Sequence, residues 1–434
     1  MMSLKKITAG SGYDYLIRQV AAQDATIGTG LAAYYEQKGE SPGVWMGSGL
    51  VGLDGIHPGD PVTEAQMKAL FGHGLHPLTD EIRQAAIDAG LSDHEAEKMC
   101  RLGRPFAERT AGSSEFQQEL KRRYAAANTE AGRKASAQLD PDVRARIRSE
   151  VAREFFIKEN GRPPASPREL HSAVARWSRP VAATIAGFDM TLSPVKSVST
   201  LWALATLLDS QTVERLHLQA VGKAAEYLET RLYTRVGPHG IRNVETRGMV
   251  AVGFTHRDSR AGDPDLHTHL VIANKVQTLD GRWYALNASL LYEAKVAASE
   301  TYNTALEMGL AETFRLRFVE RSTGRGKRPV REIAGIDPAL NARWSTRRGQ
   351  IEHRRDELAA TFLDDHGRPP TEAEMIALAQ EANLETREAK HAPRSFAEQR
   401  ATWRTEAEEL LGRGGGGPDA HHGVPVRPRT APVA

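Results

Sequence analysis

MVAVGFTHRDSRAGDPDLHTHLVIANKV, residues 249–276, sets two apolar runs on either side of a polar connection and places histidines at 256, 267 and 269. Apolar runs of this length, bounded by Gly, Asp and Pro, read as buried strands. On a strand residues i and i+2 share a face, so His267 and His269 project side by side. His256 ends the preceding run, and the ten residues between it and His267 contain Gly and Pro. If the two strands pair antiparallel, His256 returns next to the other two. Three neutral imidazoles facing one point form a metal platform with positions left open for a substrate. The spacing and the strand-like flanks differ from the helical HExxH pattern. A lone HxH pair reads more often as sheet-surface histidines in ordinary hydrogen bonds. The third histidine, with Asp258, Asp263 and Asp265 nearby to orient ring N–H groups, tips the reading to a metal.

The bulk numbers narrow what such a metal can do. Cys100 is the single cysteine of 434 residues, which excludes a disulfide and a zinc–thiolate site, so any metal must use histidine and carboxylate. Charged residues make up 26% of the chain, mean hydropathy is −0.46, and no window approaches an unbroken apolar span, which excludes a transmembrane helix. The start, MMSLKKITAGSGYDY, has two lysines with no apolar stretch after them, so no secretory signal is expected and a cytoplasmic location is. Net charge is only +2, yet residues 315–355 hold twelve Arg and Lys against four Asp and Glu. That local excess favours a polyanionic partner.

Along the chain, residues 1–77 are rich in Gly, Tyr and turn signals, and 78–180 read as helical throughout, as an insertion. Residues 181–340 mix strands and helices. AGFDMTLS (186–193) alternates like a strand and feeds a helix at Lys196, residues 213–235 form an amphipathic helix, and GRWYALN reads as a further strand. FRLRFVE and RPVREIA read as a basic hairpin. Residues 341–411 are helical again, and 412–434 are a Gly- and Pro-rich tail expected to be flexible. Helices interleaved with antiparallel-looking strands predict an α+β fold with one sheet face covered. FFIKENGRPPASPREL (155–170) and TFLDDHGRPPTEAEMI (361–376) share a Phe and a Gly-Arg-Pro-Pro at an offset of 206, each followed by a Glu. Each reads as a helix–turn–helix unit started by Pro.

Asp189, a charge between Phe188 and Met190 on a predicted central strand, needs a partner such as a histidine or a tyrosine hydroxyl. It is assigned proton abstraction or histidine orientation. Lys196, at the start of a helix, suits a phosphate. Metal plus basic segment points to phosphodiester chemistry, with water or a side chain as the nucleophile. Tyr13, Tyr15, Tyr34 and Tyr35 are four of the ten tyrosines and lie within the first 35 residues. A tyrosine of pKa about 10 is roughly one part in a thousand ionised at neutral pH, about 4 kcal/mol short of a free phenolate. A carboxylate base or a cation polarising the phosphate can supply that difference.

Taken together, YDYLIRQVA and AAYYEQKG…VWMGSGL, then GFDMTLSPVKSVS, then THRDSRAGDPDLHTHLVIANKV resemble, in order and spacing, the TrwC-type (MobF) conjugative relaxases of the HUH endonuclease superfamily. WSTRRGQIE and LETREAK also look like the end of that relaxase domain. The resemblance implies a palm-like antiparallel sheet with covering helices. It implies that an N-terminal tyrosine attacks the scissile phosphate at a transfer origin, leaving a 5′-phosphotyrosyl link and a 3′-hydroxyl, with religation after transfer. By the motif that role falls on Tyr13, with the split Tyr-Asp-Tyr leaving Tyr15 open, and the second strand transfer falls on Tyr34 or Tyr35. His256, His267 and His269 would bind the divalent ion, Mg or Mn in the cell, with Zn, Ni or Co suiting the donors. Asp189 would assist the tyrosine or fix a histidine. Lys196, Arg315, Arg317, Arg325, Lys327 and Arg328 would contact the origin DNA, as single strand and hairpin duplex. A conjugative partnership with accessory nicking proteins, a coupling protein and a type IV secretion apparatus follows, with the chain acting as a monomer and no membrane insertion. The same chemistry also fits a rolling-circle replication initiator, and the histidines alone would fit a non-catalytic DNA-binding protein with a structural ion.

Overall fold

The computed structural model describes residues 2–17, 43–107, 114–135, 137, 139–178, 183–322, 328–387 and 394–413. Tyr34, Tyr35, Arg325, Lys327 and the 414–434 stretch of the tail lie outside them. The chain divides into two compact units: Met1–Ile7, Gly12–Pro105 and Ala186–Ala434 form one, and Thr8–Ser11 with Phe106–Ile185 form the other.

The first unit is built on a five-stranded sheet in the order β1-β3-β7-β6-β2. The strands are β1 (Met2–Thr8), β2 (Val44–Met46), β3 (Ile185–Leu192), β6 (Ala251–Asp258) and β7 (Pro264–Ala273), and β3–β7, β6–β7 and β2–β6 pair antiparallel. Small hairpins join β4 (Tyr233–Val236) to β5 (Arg242–Glu245), β8 (Val276–Gln277) to β9 (Trp283–Tyr284), and β10 (Phe318–Arg321) to β11 (Val330–Ile333).

One sheet face is covered by the helices Leu207–Glu229 and Ala288–Phe314. The first buries Val213, Leu216, His217, Ala220, Val221, Ala224 and Leu228, and the second Leu291, Ala294, Ala298, Tyr302, Leu306 and Leu310, both at three- and four-residue spacing. Thr206 starts the first helix by accepting from the Asp209 backbone. That helix ends at Glu229, short of the 235 expected, because Tyr-Thr-Arg-Val at 233–236 pairs with Arg242–Glu245 as β4 and β5. GRWYALN supplies only the two residues of β9, paired outside the main sheet.

The helices Thr79–Asp88 and Asp93–Met99 belong to the first unit. Lys275, just past β7, donates to the Leu102 and Arg104 carbonyls and ties the segment after them to the sheet. The second unit packs the helices Glu115–Glu130, Pro141–Asn160 and Pro167–Trp177 around Phe116, Leu120, Ile147, Val151, Ala152 and Val174.

The Gly-Arg-Pro-Pro echo is an echo in structure. Gly161 and Gly367 each end a helix at φ near +68 and +66, a left-handed cap that glycine adopts without strain. Arg162 and Arg368 then fold over the preceding Phe156 and Phe362 rings and pair with Glu169 and Glu374. Among the described residues no helix is long and apolar enough to cross a membrane.

Candidate metal centre

The register of the central strands assembles the site. His256 lies directly opposite His267 across β6–β7, Phe254 opposite His269, and on the other side of β7 Thr191 lies opposite His269 and Asp189 opposite Val271. Directly paired residues share a face, so His256, His267, His269 and Asp189 rise from the same side of the sheet. The three imidazole rings stand 4.9, 4.9 and 5.3 Å apart between centroids. One nitrogen from each lies within 4.8 Å of the others, an arrangement that suits a divalent metal ion.

Hydrogen bonds fix which nitrogens of His267 and His269 would face an ion. His267 Nδ1 is 2.7 Å from the Asp265 backbone carbonyl, which can only accept, so Nδ1 carries the proton and Nε2 keeps its lone pair. His269 Nδ1 lies 2.8 Å from Asp189 Oδ1 with the same result. Burial pushes the His267 imidazole down, toward the neutral form that binds metal, although the nearby Asp265 opposes this. The donor set is chemically complete for a three-nitrogen site.

Asp189 is fully buried. Burial alone would raise its carboxyl, but hydrogen bonds from His269 and Tyr15 and the charge of Lys5 pull it below the usual carboxylate value. Tyr15 donates to Asp189 Oδ2 at 2.6 Å and its ring sits edge-on to His269 at 6.4 Å. Its hydroxyl is raised well above the ordinary value, by burial first and then by the Asp189 charge and hydrogen bond, with Arg387 opposing. Among the described residues Tyr13 makes no hydrogen bond to Asp189 or the histidines: its ring is buried, and its hydroxyl is pushed up to about 12 by burial and by the charges of Asp14 and Glu64. The structure therefore brings Tyr15, rather than Tyr13, to Asp189 and the histidines.

The aspartates between the histidines divide by role. Asp265 supplies its carbonyl to His267, whereas Asp263 accepts from the backbone N–H and the hydroxyl of Thr346, and Asp258 accepts from Gln399. Trp403 Nε1 and Arg394 donate to the Gly262 carbonyl at 2.9 and 3.1 Å. The β6–β7 turn is thus held by the helix Phe396–Arg413 and the residues before it, a set of contacts that carries no local sequence signal. Arg257, next to His256, pairs with Glu214 and lies over the Phe396 ring.

Lys196 opens the helix Lys196–Leu204 but donates to the Pro264 carbonyl at 2.8 Å and lies 4.0 Å from Asp265. Glu332 accepts from the Ser197 backbone and hydroxyl and occupies that helix start. The basic segment is also less free than its composition implies. Arg321 pairs with Glu332, Arg328 with Glu300, Arg331 with Glu307, Arg343 with Glu406 and Arg354 with Glu385. Among the described residues Arg315 and Arg317 have no carboxylate partner.

The profile of the TrwC relaxase family matches residues 9–410. The chain is 39% identical over 103 residues to the multifunctional conjugation protein TraI of Escherichia coli, and 38% identical over 103 residues to TraI of strain K12. Each match covers 24% of this chain and 6% of the relative, so the chain spans only a small part of those longer proteins. Among solved structures it is similar to the conjugative relaxase TrwC in complex with oriT DNA in a metal-free form, at 21% identity and a TM-score of 0.49 over 95% of this chain and 99% of that one. It is also similar to TrwC complexed with a 27-mer carrying the recognition hairpin and cleavage site, at 26% identity and a TM-score of 0.43 over 70% of this chain and 98% of that one. With the profile spanning nearly its whole length, the chain belongs to the TrwC relaxase family.

Proposed function

We propose that this chain is a conjugative relaxase that nicks one strand at a transfer origin and later rejoins it, with Tyr15 as the first nucleophile. The observation that carries the reading is the continuous hydrogen-bonded path from the Tyr15 hydroxyl through Asp189 to His269, one of the three clustered histidines. Family membership supports the reaction class, and the Tyr15–Asp189 hydrogen bond supports Tyr15 over Tyr13.

Asp189 accepts the phenolic proton as the Tyr15 oxygen attacks phosphorus. The new bond joins Tyr15 to the 5′ side of the break, and the departing oxygen becomes a 3′-hydroxyl once protonated. The phosphodiester energy is kept in the protein–DNA link, so rejoining needs no external energy source. A divalent ion held by His256, His267 and His269 would neutralise a non-bridging phosphate oxygen as negative charge builds. Three imidazoles favour Mn, Co, Ni or Zn over Mg by donor type, while cellular abundance favours Mg or Mn. Tyr34 or Tyr35 would carry the second transfer. Arg315 and Arg317, with no carboxylate partner among the described residues, are the described cations best suited to the DNA backbone. Accessory proteins, a coupling protein and a secretion apparatus would be the partners of a monomeric, cytoplasmic relaxase.

The test is a labelled single-stranded origin oligonucleotide, incubated with the chain and Mn²⁺ and resolved in SDS. A covalent adduct that survives in Tyr13→Phe and disappears in Tyr15→Phe is expected. No adduct under any divalent ion sinks the relaxase reading, and loss only in Tyr13→Phe moves the nucleophile.

A further inference from the structure

Beneath the histidines, on the covered face of the sheet, lies a buried polar chain that the proposed chemistry does not use. Thr268 sits between His267 and His269, so its side chain points away from them, into the layer under the helices Leu207–Glu229 and Ala288–Phe314. Its hydroxyl is 2.8 Å from His217 Nε2 and 2.9 Å from the Thr255 hydroxyl, the residue directly opposite it on β6. His217 Nδ1 is in turn 2.7 Å from the Tyr302 hydroxyl, with the two rings edge to face at 5.6 Å. His217 and Tyr302 are both wholly buried, and Thr268 nearly so.

The donors along this chain can be assigned. The His217 ring is the one hydrogen-bond partner of the Tyr302 hydroxyl among the described residues, so the phenol donates to Nδ1. Nε2 must then carry the ring proton and donate to Thr268, which donates onward to Thr255. The opposite tautomer would leave the Tyr302 proton without an acceptor at a wholly buried position. One tautomer of His217 thus connects a side chain from each covering helix to both metal-bearing strands. The contact falls at the one residue that separates the two histidines of β7.

From this geometry, and resting on the metal-site reading above, we infer that His217 is a positioning residue for the metal centre. Acting through Thr268, it fixes the rise and twist of β7 between His267 and His269 and so the convergence of their Nε2 atoms. A plain apolar residue at 268 would fill the same space without that anchor.

The test uses the full chain and Co²⁺ alone, read by titration calorimetry and by the visible ligand-field spectrum, beside the melting temperature of the metal-free protein. Thr268→Val keeps the side-chain shape and removes the hydroxyl. It is expected to weaken Co²⁺ binding about tenfold or more, as loss of a residue supporting a ligand does, and to change the spectrum. Thr268→Ser, which restores the hydroxyl, should bind within about twofold of the unaltered chain on the same reasoning. Tyr302→Phe, which releases the tautomer, should shift the affinity in the same direction as Thr268→Val and serves if the valine variant does not fold. Thr268→Val and Tyr302→Phe that bind Co²⁺ with unchanged affinity and spectrum, while His256→Ala abolishes binding, would overturn the inference and leave the metal site standing. Failure of the unaltered chain to bind Co²⁺ would remove both.

Discussion

Asp189 accepts two hydrogen bonds at once, from Tyr15 and from His269. Asp189→Asn keeps the shape but leaves a single oxygen to accept and turns an NH₂ group toward a donor. Calorimetry should show the affinity for Mn²⁺ or Co²⁺ falling about ten- to a hundredfold, together with loss of the covalent adduct. An unchanged affinity would separate Asp189 from the support of His269. The residue was legible in the sequence because a carboxylate flanked by Phe188 and Met190 on a buried strand demands a partner. The different placement of Tyr13 and Tyr15 was not. Tyr13 precedes the short helix Asp14–Ile17 and Tyr15 lies inside it, so two residues only two positions apart diverge. The placement of Tyr15 depends on Asp189, 174 residues later.

At the scale of elements, strands announced themselves by alternation and apolar runs, and the antiparallel return of β6 on β7 followed from the short Gly- and Pro-bearing connection between them. The limits of the helix Leu207–Glu229 and the true partner of GRWYALN did not, because both depend on pairing with distant segments. Charge behaved in the same way. Residues 315–355 look strongly basic when counted locally, but Glu300, Glu307, Glu385 and Glu406 answer them from neighbouring elements. The β6–β7 turn depends on the helix Phe396–Arg413, where Trp403 is buried against Trp202 at 5.4 Å and donates to Gly262. Trp403→Ala should destabilise the protein by about 3–5 kcal/mol, seen as a lowered denaturation midpoint. A loss of no more than about 0.5 kcal/mol, the size of an ordinary surface change, would show that this helix does not anchor the turn.

At the scale of the whole molecule, two units with separate cores predict two cooperative unfolding transitions. Because the histidines lie in the sheet-bearing unit, Co²⁺ should raise one transition and leave the other in place. Calorimetric scans with and without the ion check this, and a single transition that moves as a whole would contradict it. The position of the protein–DNA bond distinguishes Tyr15 from the other N-terminal tyrosines. After reaction with a short origin oligonucleotide and nuclease trimming, trypsin should release ITAGSGYDYLIR, residues 7–18, separately from QVAAQDATIGTGLAAYYEQK, residues 19–38. Fragment-ion mass spectrometry is expected to find the nucleotide on the first peptide, at Tyr15. Attachment at Tyr13, or only on the second peptide, would contradict the account.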